Sequence, residues 1–96
     1  SVYTYFQELF VKKGDKVMVA GWRSNEDIQF VFDDKPFSNY YTATCHSTKK
    51  RKDGFEFVKE TYFCQEDFEE LKVYLYYTGQ KIGVFNNYSI SYYQTQ

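Results

Sequence analysis

Leu71-Lys72-Val73-Tyr74-Leu75-Tyr76-Tyr77 is the stretch on which the fold turns. Leu71, Val73, Leu75 and Tyr77 alternate with Lys72, Tyr74 and Tyr76. A strand sends successive side chains to opposite faces, so one row of this segment is buried and the other is wet. Aromatic and branched side chains also suit a pleated, half-buried surface. The segment is therefore expected to be a strand with Leu71, Val73, Leu75 and Tyr77 facing inward.

Outward from it, the same alternation recurs. Residues 16–22 set Val17 and Val19 against Met18, Ala20 and Trp22. Residues 27–32 place Ile28, Phe30 and Phe32 on one face. Residues 55–63 set Phe55 and Phe57 against Val58 and Tyr62, and Phe30, Phe32, Phe55, Phe57 and Phe68 are assigned inward. The Thr-rich segment 40–45 and segments 80–85 and 88–93 complete the strands. Turn signals separate them at short intervals: Lys13-Gly14-Asp15, Arg23-Ser24-Asn25-Glu26, Asp33-Asp34-Lys35-Pro36, Lys52-Asp53-Gly54, Thr78-Gly79-Gln80 and Asn86-Asn87. Regular turns between short alternating runs predict an all-β fold, a compact antiparallel β-sandwich of about six to eight short strands. One segment supports an alternative. Val2, Phe6, Leu9 and Phe10 recur at helical spacing and Gly14 follows as a helix stop. One N-terminal helix on an antiparallel sheet would make the fold α+β. The acidic segment 65–70 can likewise form a helical turn, with Phe68 and Leu71 packed inward.

The 96 residues suffice for one domain. Eleven Tyr and ten Phe exceed what one small core can hold, so several Tyr rings are expected to face water or a partner. Twelve basic and 13 acidic residues leave a net charge of −1, which supplies no overall field for nucleic acid or an acidic membrane. No apolar run reaches the roughly 20 residues that span a bilayer.

Two cysteines, Cys45 and Cys64, suit a single disulfide in an oxidising compartment, and hence a secreted protein. With Asp53-Gly54 as a two-residue turn, Cys45 faces Tyr62 and Cys64 faces Ala43, which makes the sulfurs diagonal. Diagonal neighbours lie roughly 7–8 Å apart, beyond disulfide reach. A bulge, a longer basic loop or placement on different sheets would be needed; an inter-sheet bridge meets the geometry most simply.

Candidate sites are few. Lys49-Lys50-Arg51-Lys52 is a basic patch that suits phosphate, sulfated glycan or nucleic acid, and equally a solvated hairpin tip. His46 is the only histidine; with Glu56 or Glu60, and Arg51 near, it could form a one-histidine ribonuclease-like centre. No metal-ligand spacing and no phosphate-cradling glycine loop occur, and no cofactor is implied. Trp22, the only tryptophan, closes a strand beside Arg23, where it can stack on a sugar or anchor an interface. Asn87-Tyr88-Ser89 is a glycosylation sequon.

The order of these patterns resembles a galectin domain. The stretch Lys13-Gly14-Asp15-Lys16-Val17-Met18-Val19-Ala20-Gly21 is similar to the opening Gly-Asp turn and Val-x-Val-x-Gly strand of that family. Ile28-Gln29-Phe30-Val31-Phe32 matches the next strand, and residues 68–73, 81–87, Ile90 and Tyr92 resemble the closing ones. The middle departs from the family: its sugar-binding His, Asn and Arg, and its Trp and Glu-Arg partners, are missing. What the resemblance implies is a jelly-roll-like sandwich, with no ligand residue carried over. The length, strand number and cysteine pair also resemble small secreted fungal effectors, which bind host proteins through strand edges.

Together these features favour recognition over catalysis. The expected function is a small secreted, non-catalytic module that binds a partner protein or a glycan through a Tyr-rich strand face. Tyr gives contact area at low entropic cost, so the ligand-binding residues expected are Trp22, Arg23, Tyr40, Tyr74, Tyr76 and Tyr93. An effector that targets host proteins by a strand edge, and a ribonuclease-like enzyme or pseudoenzyme built on His46 with Glu56 or Glu60, are the alternatives.

Overall fold

The computed structural model describes residues 2–33, 41–44, 46–65 and 70–94. Eight strands run in chain order: β1 Val2–Leu9, β2 Lys16–Arg23, β3 Ile28–Asp33, β4 Tyr41–Thr44, β5 His46–Lys52, β6 Phe55–Phe63, β7 Leu71–Tyr77 and β8 Phe85–Tyr93. They form two four-stranded sheets, β1-β7-β3-β4 and β5-β6-β2-β8, and every pairing is antiparallel. The fold is a β-sandwich, and there is no helix among the described residues.

The alternation seen in sequence builds the core. Val17 and Val19 of β2, Phe30 and Phe32 of β3, Val58 of β6, and Leu71 and Val73 of β7 are essentially inaccessible to water. Two aromatic pairs tie the sheets together. Phe32 stacks on Tyr62 with centroids 5.5 Å apart, and Phe30 meets Phe85 edge to face at 5.3 Å. Such pairs contribute roughly 0.5–1.5 kcal/mol beyond the area they bury.

Several expectations are corrected. The N-terminal segment is strand β1, not a helix. Its register on β7 shifts between Tyr5 and Gln7, so β1 carries one more residue than the strand it faces. An extra residue breaks strict alternation, so the segment lacks the period-two pattern of a regular strand. Segment 80–85 is not a strand: residues 78–84 form a loop around Tyr77, and β8 begins at Phe85. Asn86-Asn87 is not a turn but lies within β8, where the register against β2 shifts between Ala20 and Trp22. Asn87 adopts φ 49°, a left-handed conformation that Asn tolerates better than most residues. Phe55 and Phe57 are only half-buried and lie on the outer face, because the inward row of β6 belongs to Glu56, Val58 and Tyr62. The acidic segment 66–69 with Phe68, the Asp34-Lys35-Pro36 turn, Tyr40 and Cys45 lie outside the described residues.

The Cys45–Cys64 disulfide is also corrected. Cys64 is buried at the end of β6 and takes part in no disulfide. It belongs instead to the apolar core cluster with Leu9, Val11 and Tyr62.

The corner between β1 and β2 is locked from three sides. Gly14 takes φ 92°. Its N–H donates to the Cys64 carbonyl at 2.9 Å, and the Cys64 N–H donates to the Asp15 carbonyl at 2.9 Å. The Asp15 carboxylate is fully buried and accepts from the Lys12 N–H at 2.9 Å and from the Tyr92 hydroxyl at 2.6 Å. Burial, and then the bond to Asp15, push the Tyr92 hydroxyl above its ordinary value of 10.0.

Replacing Tyr92 with Phe strands part of a buried carboxylate, and the expected loss is about 1–3 kcal/mol in urea unfolding. The raised Tyr92 value also sets a sign. Its contribution is full below pH 10.0 and is lost as pH rises through the folded-state value. The stability gap between the wild type and Tyr92→Phe should therefore narrow in alkaline urea titrations.

Candidate functional site

A cleft of about 290 Å³ lies at one end of the β5-β6-β2-β8 sheet, lined by Trp22, Lys52, Asp53, Phe55, Asn86 and Asn87. Its floor comes from the outward row. Trp22 occupies an outward position of β2, opposite Phe57 on β6 and Asn86 on β8. The Trp22 and Phe57 rings lie 5.1 Å apart, tilted by 50°. One wall is the β5–β6 hairpin. Asp53 and Gly54 have φ values of 52° and 82°, and Lys52 pairs with Phe55 across them, so the expected two-residue Asp-Gly turn is formed. The opposite wall is the β8 bulge at Asn87.

That bulge rests on a glycine. A Cβ on Gly21 would lie 2.3 Å from the Phe85 ring. Only a residue without a side chain lets Phe85 cross β2 here and reach Phe30. Phe85 in turn stacks on Tyr88, with centroids 6.2 Å apart. Gly21 thus sits beneath the segment that delivers Asn86 and Asn87 to the cleft.

Arg23 faces the other way. It is buried, and its guanidinium ties the end of β2 to its neighbours. Nε and Nη2 each lie 2.8 Å from Glu56 Oε1, and Nη1 donates to the carbonyls of Ile28 at 3.1 Å and Glu26 at 3.3 Å. The other Glu56 oxygen accepts from the Ser47 hydroxyl at 2.6 Å and lies 3.4 Å from Arg51 Nη2. The Ser47 bond first, and the Arg23 bond next, hold the Glu56 carboxyl below its ordinary value of 4.5. Arg23 is therefore a structural cation and no part of the Trp22 cleft. A second depression of about 200 Å³ lies beside this network, between Ser24, Asn25, Glu26, Arg51 and Gly54.

Among the described residues, the other expected ligand-binding residues do not gather at Trp22. Tyr74 and Tyr76 lie on β7 of the opposite sheet, in the row paired with Val31 and Gln29 of β3. Tyr93 shares the sheet of Trp22 but pairs with Lys16, six residues along β2; its ring carries Lys16 Nζ 4.5 Å from the centroid. β7 and β8 belong to different sheets, so their tyrosines do not share one sheet face. His46 and Glu60 do meet, with Nδ1 2.5 Å from Oε2, but His46 is 78% exposed. The Glu56 carboxylate is engaged elsewhere.

Asn86 and Asn87 went unrecognised in the sequence because an Asn-Asn pair reads as a turn. Phe55 and Phe57 went unrecognised as site residues because they read as core. Among the described residues no cluster of His, Cys, Asp and Glu could hold a metal ion, and no helix is long and apolar enough to cross a membrane.

Two variants probe this end of the sandwich. Gly21→Ala should destabilise by about 1–3 kcal/mol through overpacking and shift the Asn86 and Asn87 amide resonances. Glu56→Gln should lower stability above pH 4.5, where the bound carboxylate is ionised. That loss should fade as pH falls through the lowered folded-state value, read as converging urea midpoints for the two proteins.

Compared with known proteins, the chain matches no family model, no curated protein and no solved structure.

Proposed function

We propose that this domain is a non-catalytic recognition module whose ligand is a glycan, with one sugar ring seated on Trp22. The observation that carries this is the composition of the cleft: an aromatic floor of Trp22 and Phe55, with Asn86, Asn87, Asp53 and Lys52 around it. A sugar ring presents C–H groups on its faces and hydroxyls around its edge. Aromatic faces suit the first, while amides and a carboxylate, which donate or accept in the plane, suit the second. The cleft, at about 290 Å³, is at the small end of ligand sites. Recognition is preferred to catalysis because the titratable side chains in the cleft are Lys52 and Asp53, while the His46–Glu60 pair lines no described cavity.

The test is a glycan array followed by titration of the best binder into isotope-labelled protein. Bound sugar should shift the Trp22 indole and the Asn86 and Asn87 side-chain amides. Trp22→Ala should weaken binding at least about tenfold, with the remaining spectrum retained. An array that stays blank while affinity capture yields one protein, held equally by Trp22→Ala, would replace the glycan with a protein partner.

A further inference from the structure

We infer that the sugar taken by the Trp22 cleft is acidic, bearing a sulfate ester or a carboxylate held by Lys50 and Lys52. This rests on the glycan reading above and adds the charge class of the ligand. The basis is a bulge in β5. Ser47 pairs with Val58 and Arg51 with Glu56, so two more residues lie between Ser47 and Arg51 than between their partners. Lys49 relieves the excess at φ 65°. From the turn backward, Lys52 pairs with outward-facing Phe55 and Arg51 with inward-facing Glu56. Lys50 then crosses the outer face, its Nζ 5.8 Å from the Phe57 centroid. Phe57 in turn lies 5.1 Å from Trp22. The β5 run that reads as an undivided basic stretch is thus sorted. Arg51 turns to Glu56, while Lys50 and Lys52 stand on the same side of the sheet as Trp22.

These two ammonium groups are available to a ligand. Neither forms an ion pair with a carboxylate among the described residues. Asp53 is the one carboxylate lining the cleft, and the nearby Glu56 charge is met by Arg23, Ser47 and Arg51. The tip Lys49-Lys50-Arg51-Lys52-Asp53 carries four positive charges and one negative in a chain of net charge −1. Positive charge is therefore concentrated on this hairpin, which forms one wall of the cleft, although the whole chain is nearly neutral. Lysine binds a tetrahedral sulfate or a carboxylate as a point charge and needs no bidentate geometry. An aromatic floor with flanking lysines and amides fits an acidic sugar: ring on Trp22, hydroxyls toward Asn86 and Asn87, acidic group toward the lysines.

Four probes, titrated beside the neutral glycans of the array into the 96-residue chain at several salt concentrations, decide it. They are a heparin-derived hexasaccharide, its fully desulfated counterpart, an oligogalacturonate and a single-stranded oligothymidine. A sulfate-directed site binds the first and loses it on desulfation; a carboxylate-directed site keeps the desulfated hexasaccharide and binds oligogalacturonate. In either case affinity should fall with added salt. Lys50→Gln combined with Lys52→Gln should weaken acidic probes roughly 10- to 100-fold. Lys72→Gln, on the other sheet beside Glu70, should leave them unchanged. The inference is overturned if neutral glycans bind through Trp22 and the double lysine variant binds every probe as the wild type does, an outcome that leaves the glycan reading standing. Oligothymidine bound more tightly than either acidic sugar also overturns it, in favour of nucleic acid. No binding of any sugar, acidic or neutral, removes both readings.

Discussion

The end of the sandwich that carries the cleft depends on the ion pair between Arg23 and Glu56. Both side chains are largely withdrawn from water, at 9% and 13% exposure. Taking two charges out of water costs several kcal/mol per ion, and their attraction offsets this only when the remaining donors and acceptors are also met. Here they are. Arg23 donates its spare N–H groups to the carbonyls of Ile28 and Glu26, and Glu56 accepts at its second oxygen from Ser47 and Arg51. One carboxylate thereby joins β2, the turn into β3, and both strands of the basic hairpin. Trp22 lies one residue before Arg23 and Phe55 one before Glu56, so the pair that fixes the inner face also fixes the outer one.

Irregularity rather than regularity makes the site. Regular alternation accounts for the core: Val17, Val19, Phe30, Phe32, Val58, Leu71 and Val73. The cleft instead arises where alternation fails, at the β5 bulge that brings Lys50 across Phe57 and at the β8 bulge beside Gly21. A bulge adds residues to one strand only and turns side chains toward positions a regular ladder would not give them. Both bulges place polar or charged groups around an aromatic floor. The loop 78–84 supports the same end. Ser24 N–H donates to the Val84 carbonyl at 2.9 Å, and Val84 N–H donates to the Ser24 hydroxyl at 2.8 Å.

Much of the sandwich is legible in the sequence because period-two burial is a local property. Leu71-Lys72-Val73-Tyr74-Leu75 states its own inward and outward rows. The Asp53-Gly54 turn is equally local, since both residues tolerate positive φ. The departures have separate causes. The N-terminal segment reads as a helix because a bulge interrupts the period-two ladder of β1. Asn86-Asn87 mimicked a turn because Asn serves left-handed conformations in turns and bulges alike. Phe55 and Phe57 were assigned to the core by hydrophobicity, but the inward row of β6 was already taken by Glu56, the counter-ion of Arg23.

The sequence by itself determined that most of the chain is strand, where most of its turns lie, and which rows of β3 and β7 are buried, while it left the N-terminal segment open between helix and strand. Those features follow from side-chain pattern and backbone preference over a few residues. Only the tertiary structure decided that β7 and β8 belong to different sheets, which divides the tyrosines between two faces. It alone decided that Cys64 is not bridged, that Arg23 is a buried clamp, and that Trp22 meets Asn86, Asn87, Phe55 and Lys52. Each of these is a choice of partner between segments far apart in sequence. Partner choice is set by register, bulges and the need to satisfy buried charge, none of which a short stretch of residues contains.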